Sequence, residues 1–315
     1  MLFTAALSQM AYLFFLVVIG YILVRLRCIP EQSAAVLSRL ENNVFIPALV
    51  LETFMSHFTP AKLHSAGGLL AGSLLLELMI IPISLLFVKL CAKDRYTQNI
   101  FWYGLCFSNF GFMGNAVVQA LFADVFLEYI IFTLVLWIII YLWGVPSLLM
   151  GDHQRVGWRD KLKNFVNPMF ICMLIGMAIG IFGMSVPSFF NTLVSSAAGC
   201  MSPIAMLLNG MTIAEIDLRS VLQMRSVYII TILRLLAYPL LFLTIVLPFA
   251  DALSDTFVIC AVCSLAMPLG LNTIVIPSAY GKDVKVASCM ALISHLLSCF
   301  TIPIVFLVLE LILQK

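Results

Sequence analysis

Apolar segments long enough to cross a lipid bilayer follow one another along almost the whole chain of 315 residues. A helix needs roughly 20 apolar residues to cross a hydrocarbon core about 30 Å thick, and a backbone in hydrocarbon must satisfy its own hydrogen bonds. We therefore predict an all-α polytopic membrane protein with ten transmembrane helices. The predicted spans, numbered 1 to 10, are 3–25, 34–57, 65–91, 99–122, 126–149, 167–185, 189–214, 224–248, 255–280 and 286–313.

Composition and motifs exclude several classes of protein. Hydrophobic residues make up 63% of the chain and charged residues 10%, which is far from the composition of soluble domains. The first apolar run has full spanning length and no basic segment before it, so we interpret it as span 1 rather than a cleaved signal. The 4 histidines are dispersed, and Cys260 and Cys263 are interpreted as small buried hydrophobic residues. We therefore expect a lipid bilayer as partner, no nucleic acid, no cofactor or metal, and no enzyme activity.

Basic residues predict how the chain is oriented in the membrane. Fourteen of the 17 lysines and arginines fall on one side if the spans alternate in direction, and basic residues accumulate on the cytoplasmic side of membrane proteins. The strongly hydrophilic connection 151–166 lies on that same side, so we predict that it is a cytoplasmic linker. Both termini are then non-cytoplasmic, and the protein lies in the inner or plasma membrane of the cell.

A shift of 157 residues superimposes helix-breaking residues of the second half of the chain on those of the first. Asn115 then falls on Asn272, and three pairs of prolines coincide: Pro30 and Pro187, Pro82 and Pro239, and Pro146 and Pro303. We predict two homologous halves of five spans, 1–150 and 167–315, and the second is inverted because five is an odd number. Inverted repeats with paired broken helices are typical of secondary transporters, with the site between the halves. A duplicated scaffold without transport is the alternative.

Spans 4 and 9 contain helix-breaking residues at mid-span, which are Gly111 and Gly114 in span 4 and Pro268 and Gly270 in span 9. Broken helix inside a bilayer is tolerated only where it is buried in protein or lines a cavity. Two broken helices that cross at their breaks direct free N–H groups and positive dipole ends at one point, which suits a carboxylate. We therefore predict crossed, broken helices 4 and 9 with the substrate at the crossing.

Polar side chains beside the breaks complete the predicted substrate site. Their amides and hydroxyls can bind an anion without adding a buried charge. For each asparagine the alternative is that it caps a helix end at the break, and one side chain can do both. The predicted substrate-binding residues are Ser108, Asn109, Gly111, Gly114, Asn115, Pro268, Gly270, Asn272 and Thr273.

Four ionisable residues inside predicted spans are candidates for charge pairing or ion coupling: Glu52, Glu77, Arg234 and His295. A charge at a span centre costs about 2.5–3.5 kcal/mol on insertion scales, so it is usually paired or functional. The shift relates Glu77 to Arg234, and we favour a salt bridge between them over a role of Arg234 in binding a substrate carboxylate. Glu52 is either a proton carrier or faces a vestibule or a subunit contact. His295 is interpreted as a hydrogen-bonded core residue rather than a titrating one, and Glu128, beyond the outer end of span 4, as solvated.

Several segments resemble the auxin efflux carrier family of bacterial and plant transporters: 42–50, 108–124, 167–183, 202–214 and 264–283. The resemblance covers essentially the whole chain. It implies two inverted repeats, a scaffold domain of spans 1, 2, 6 and 7, and a transport domain of spans 3–5 and 8–10 that includes the crossing helices. It also implies a homodimer formed through the scaffold. The chain departs from the family at Asn115, where many members have proline, and at Pro277, an additional break.

The resemblance implies secondary transport of a small organic anion, such as malate, malonate or indole acetate, by alternating access. Neither break contains an acid that would bind sodium, so we expect H+ coupling or uniport in preference to Na+ coupling. A negative-inside potential drives an anion outward by about 2.3 kcal/mol per charge per 100 mV, which favours efflux. A channel or a ligand sensor on the same fold is the alternative.

Overall fold

The computed structural model describes residues 2–30, 33–150, 168–214, 224–279 and 282–313, and the predicted linker 151–166 lies outside them. Most of the described residues are helical. The helices, numbered in chain order, are α1 (Leu2–Arg25), α2 (Ser33–His57), α3 (Pro60–Cys91), α4 (Arg95–Cys106), α5 (Phe110–Leu121), α6 (Ala123–Leu149), α7 (Pro168–Phe182), α8 (Ser188–Ala214), α9 (Arg225–Phe249), α10 (Asp255–Ala266), α11 (Asn272–Ala279) and α12 (Lys285–Leu313).

Seven of the described helices are long and apolar enough to cross a membrane, namely α1, α2, α3, α6, α8, α9 and α12. They match predicted spans 1, 2, 3, 5, 7, 8 and 10. Within the described ranges, the other three predicted spans have no single helix of spanning length. Span 6 corresponds to the 15-residue α7, and spans 4 and 9 are each divided into two short helices. The prediction of an all-α membrane protein is confirmed.

Prolines explain where two long helices widen into π-helical turns. Proline has no N–H group, and its ring collides with the carbonyl four residues earlier. In α2 the π-turn Glu41–Phe45 comes just before Pro47, and in α9 the π-turn Leu233–Ala237 comes just before Pro239. A π-turn pairs an N–H with the carbonyl five residues earlier, and this wider path relieves the collision. Residues of both turns reach the site described below.

Polar side chains begin three helices by capping free N–H groups. Thr59, Asp94 and Ser254 precede α3, α4 and α10, and each accepts a hydrogen bond from the backbone N–H three residues later. Such caps satisfy donors that the first turn of a helix leaves unpaired. The bond from the Thr97 N–H also lowers the pKa of the Asp94 carboxyl, because it stabilises the charged form.

Helices α1, α2, α7 and α8 form one packed group. α1 packs along α8, α2 packs along α7, and α2 also contacts α8. Gly20 of α1 lies against the backbone of Leu207, and Gly210 of α8 lies against the backbone of Val17, so closely that a Cβ at either glycine would collide with it. In lipid the hydrophobic effect contributes little to helix association. Small residues stabilise the contact instead, because they let the two backbones approach closely.

Replacing Gly210 with alanine is expected to lower the thermal unfolding midpoint of the purified protein. The added methyl group would collide with the α1 backbone at Val17 and Tyr21, and overpacking costs about 1–3 kcal/mol. Gly199→Ala in the same helix is the matched control, because nothing lies within 4 Å of its Cβ position. Equal midpoints for the two variants in detergent would contradict the close contact of α1 with α8.

The remaining helices form a second group around the broken spans. α3 packs on α4 and α6, and α9 packs on α10 and α12. The two groups meet where α12 lies against α1 and where the first turn of α5 lies against α8. The helix breaks therefore lie close to the boundary between the groups.

Candidate functional site

The two helix breaks lie side by side. α4 ends at Cys106 and α5 begins at Phe110, while α10 ends at Ala266 and α11 begins at Asn272. Between the halves, Ser108 and Leu269 form an antiparallel β-bridge. The Asn109 N–H donates to the Pro268 carbonyl over 2.7 Å. The two breaks thus form hydrogen bonds with each other's backbone groups, which would have no partner in hydrocarbon.

The glycines at the crossing permit close approach. A Cβ on Gly270 would lie 3.1 Å from the Ser108 carbonyl oxygen, so a larger residue would push the two extended segments apart. In the first broken helix the break lies at residues 107–109 rather than at the glycines. Gly111 and Gly114 instead lie in the π-turn Phe110–Gly114, where they leave room for the side chains of Trp137 and Tyr129.

Arg234 joins the ends of the first half-helices. It is 1% exposed, and its Nη1 and Nη2 donate to the carbonyls of Leu105 and Ser264 over 2.7 and 2.9 Å. These carbonyls belong to the last turns of α4 and α10 and carry the negative ends of the helix dipoles. The Ser108 hydroxyl also donates to the Ser264 carbonyl, over 2.8 Å. One buried cation therefore compensates both C-terminal helix ends at the crossing.

Glu77 and Arg234 lie near each other, and the salt bridge between them stays a prediction. Glu77 is buried and close enough to interact electrostatically with Arg234, but within the described residues its Oε1 has no hydrogen-bond partner, and neither has the Arg234 Nε. The Arg234 guanidinium directs its Nη1 and Nη2 donors at the carbonyls of Leu105 and Ser264, which have no partner within their own helices at the breaks.

A small cavity of about 40 Å³ lies between the breaks. This volume holds a water molecule but not an organic anion. Asn42 of α2 is exposed at its rim, whereas Ser108 and Asn109 are buried. The residues that line the cavity include Asn42, Ile46, Tyr103, Ser108, Asn109, Gly111, Trp137, Tyr141, Gly270 and Asn272.

Hydrogen bonds hold the two asparagines of the cavity in place. The Asn272 amide donates to the Tyr103 hydroxyl over 3.3 Å. The Asn109 amide lies 3.0 Å from His295 Nε2, while His295 Nδ1 lies 2.7 Å from the Ala291 carbonyl. Since a carbonyl only accepts, Nδ1 carries the proton, and Nε2 accepts from Asn109. His295 is therefore a neutral, hydrogen-bonded core residue, as predicted.

Four predicted substrate-site residues do not line the cavity. Pro268 supplies the carbonyl that accepts from Asn109, and the Thr273 hydroxyl donates to the Gly270 carbonyl over 2.8 Å at the start of α11. Gly114 and Asn115 are buried further along α5. Of the nine predicted residues, the structure brings Ser108, Asn109, Gly111, Gly270 and Asn272 together around one space.

The sequence interpretation missed nine residues of the cavity lining, namely Asn42, Ile46, Tyr103, Phe110, Phe112, Trp137, Ile140, Tyr141 and Leu271. Trp137 stacks on Tyr141, with ring centroids 5.6 Å apart and planes inclined by 13°. The adjacent polar residues 42 and 43 in an apolar segment were a usable signal for Asn42. Nothing in the sequence distinguishes the five aromatic residues of the lining from other core aromatics.

Two predicted acidic residues lie away from the crossing. Glu52 lines an open cavity of about 580 Å³ formed by α2, α7 and α8, which agrees with a vestibule position. Glu128 is buried and paired with Lys62, so the prediction that it is solvated is wrong. Its position at the start of α6 brings it beside the start of α3, where the lysine compensates its charge.

Comparison with known proteins identifies the family. The sequence profile of the membrane transport protein family, Mem_trans, matches residues 5–306, which is nearly the whole chain. A search among curated proteins found no match. The profile includes both broken helices and the helices packed around them. The chain therefore belongs to the Mem_trans family, the auxin efflux carrier family, and is a multi-pass membrane transport protein and not an enzyme.

Proposed function

We propose that the protein is a secondary transporter of a small organic anion that works by alternating access, with efflux as its physiological direction. The observation that carries the proposal is the electrostatic asymmetry of the crossing. Arg234 compensates the two C-terminal helix ends. The first turns of α5 and α11, at Gly111 and Asn272, border the cavity. Helix N-termini and amide donors attract an anion.

The position of the cavity supports alternating access. One wall comes from α2, at Asn42 and Ile46, and the other walls come from the broken helices and α6. We propose α1, α2, α7 and α8 as the scaffold domain and α3–α6 with α9–α12 as the transport domain. The cavity then lies between the domains. Because about 40 Å³ is too small for an organic anion, the domains must separate to admit one.

The packing pattern supports two inverted repeats, 1–150 and 167–315, joined by a cytoplasmic linker 151–166. The proposed repeat relates α1 to α7 and α2 to α8. A contact between α1 and α8 therefore predicts an equivalent contact between α7 and α2, and both contacts occur. In the same way the packing of α3 on α4 and α6 corresponds to that of α9 on α10 and α12. We propose ten spans on this basis, with the three interrupted or short ones counted as spans.

The distribution of basic residues supports non-cytoplasmic termini in the inner or plasma membrane. In that orientation the cavity rim at Asn42 and Tyr141 faces the cytoplasmic half of the membrane, because both residues lie toward the cytoplasmic ends of their helices. An inward rim suits the loading of an anion for efflux. A homodimer through the scaffold is proposed from the family resemblance alone.

Proton coupling is preferred to sodium coupling. Along the described part of the chain, no acidic side chain lines the cavity between the breaks, so nothing there balances the charge of a sodium ion. A channel is disfavoured because the cavity at the crossing, about 40 Å³, is too small for an organic anion. A ligand sensor on the same fold differs from a carrier in that it binds the anion without moving it across the membrane.

Counterflow in proteoliposomes tests the proposal. We expect vesicles loaded with unlabelled malonate, malate or indole acetate to accumulate the same labelled anion transiently and with saturation, because a carrier exchanges bound substrates. Empty liposomes and vesicles loaded with a neutral sugar are the controls. Flux that rises linearly with concentration would indicate a channel, and thermal stabilisation by an anion without any flux would indicate a sensor.

A further inference from the structure

Glu41 is a buried acid of α2. It is 0% exposed, and neither of its carboxylate oxygens has a hydrogen-bond partner among the described residues. An ionised carboxylate without a partner is strongly disfavoured inside a protein, and such a group takes up a proton instead. Buried Glu128 differs, because Lys62 pairs with it. Buried Glu77 differs as well, because the charge of Arg234 lies near it.

Among the residues that the structure describes, no charged group compensates Glu41. The helices packed against its π-turn are α7 and α8, whose titratable side chains among the described residues are the thiols of Cys172 and Cys200. Thiols are uncharged at neutral pH. On α2 itself the titratable residues are Arg39, which is exposed, and Glu52 and His57 toward the other end, and none of them acts on Glu41. The surroundings therefore favour the neutral acid.

The position of Glu41 links it to the substrate cavity. It is the first residue of the π-turn Glu41–Phe45, and the next residue, Asn42, lies at the cavity rim. Its carbonyl accepts from the N–H of Ile46, which also lines the cavity. Single π-turns inside α-helices frequently occur at functional sites. A change at Glu41 that moves this turn therefore moves the cavity wall.

We infer that Glu41 binds the proton that is coupled to anion transport, an inference that rests on the proposed function. While the turn is packed as in this structure, the side chain holds a proton. The proton passes to water only when the turn opens enough to hydrate the carboxylate, and the carboxylate later takes a proton from a hydronium ion on the other side. Because linkage is reciprocal, opening the turn weakens proton binding and loss of the proton favours the open turn. His295 is a poorer candidate, since both ring nitrogens are already hydrogen-bonded.

Two measurements on the reconstituted full-length protein test the inference. Infrared spectroscopy at neutral pH is expected to show a protonated carboxyl C=O band that disappears in Glu41→Gln and shifts in Glu41→Asp. Accumulation of labelled malonate driven by a pH gradient is expected to fall at least tenfold in Glu41→Gln. Glu52→Gln is the matched control on the same helix, because Glu52 lines a separate open cavity, and we expect it to behave like the wild type.

The outcomes distinguish a failure of the Glu41 assignment from a failure of the proposed transport function. An infrared band unchanged by both Glu41 variants, or full pH-driven accumulation in Glu41→Gln, would overturn the assignment of the proton to Glu41. Accumulation driven by a sodium gradient and lost in Glu41→Gln would overturn it in favour of a sodium site. Absence of counterflow for every probe anion in the wild type would overturn the proposed function itself, and the infrared comparison would still decide whether Glu41 binds a proton.

Discussion

Replacing Arg234 with methionine is expected to abolish the stably folded transporter. Methionine has a similar length but no donors, so the Leu105 carbonyl loses the Arg234 donor and the Ser264 carbonyl keeps only the Ser108 hydroxyl. Glu77 also loses the positive charge of Arg234 that acts on it. Removing one partner from a buried charged network costs about 3–5 kcal/mol, which is a large fraction of the stability of a typical protein. Size-exclusion chromatography and thermal unfolding in detergent measure the loss.

Two further variants identify the cause of the expected loss. Arg225→Met is the matched control, because Arg225 is an exposed arginine of the same helix α9, and its unfolding midpoint is expected to stay near that of the wild type. Adding Glu77→Gln to Arg234→Met is expected to restore part of the stability, since it removes an uncompensated buried charge. A folded Arg234→Met protein with an unchanged midpoint would show that the helix ends do not depend on the guanidinium.

Exchanging the two charges, with Arg at 77 and Glu at 234, is not expected to rescue the protein. A carboxylate only accepts hydrogen bonds, so it would repel the carbonyls of Leu105 and Ser264 that the guanidinium now binds. This outcome distinguishes the observed arrangement from a simple salt bridge, which a charge exchange would restore.

Replacing Asn272 with alanine is expected to weaken anion binding about tenfold to a hundredfold. Asn272 lines the cavity, and its amide is held beside the Tyr103 hydroxyl. A hydrogen bond to a charged group contributes about 1.5–3 kcal/mol, and this is the donor that the variant removes. The half-saturation concentration of malonate counterflow measures the change, and the thermal unfolding midpoint checks that the fold is intact.

Asn115→Ala is the matched control for Asn272→Ala. The repeat relates the two asparagines, but Asn115 is buried outside the cavity lining. We therefore expect a much smaller change in half-saturation for Asn115→Ala. Equal weakening by both substitutions would place the anion deeper along α5 than the cavity at the breaks, and no weakening by either would remove both amides from the site.

The structure brings five of the nine predicted site residues around one cavity and adds further side chains to its lining. Ser108, Asn109, Gly270 and Asn272 were found because polar and helix-breaking residues are rare in apolar segments. The first break was displaced by a few residues, since Gly111 was interpreted as a breaker although it makes room for Trp137. Such a role depends on a residue of another helix, which local composition does not report.

For the charged residues, too, local composition does not report which residue of another helix is the partner. The sequence predicts that Arg234 needs a partner, because a cation inside a span is costly. Its partners are carbonyls 129 and 30 residues away, at helix ends that exist only because the helices break. Glu128 was interpreted as solvated because it follows a span end, and its pairing with Lys62 required the starts of α3 and α6 to be neighbours.

The sequence by itself determined that the protein is an all-α membrane protein, approximately where its helices lie, and which two of its predicted spans are interrupted. These properties follow from local chemistry, because hydrocarbon demands apolar side chains and internally paired backbone groups. Only the tertiary structure decided which groups meet: the two breaks as a β-bridge, Arg234 at both helix ends, and Asn42 with five aromatic residues around the cavity. Hydrogen bonds and charges act over a few ångströms, so their partners are set by how the helices pack and not by their order in the chain.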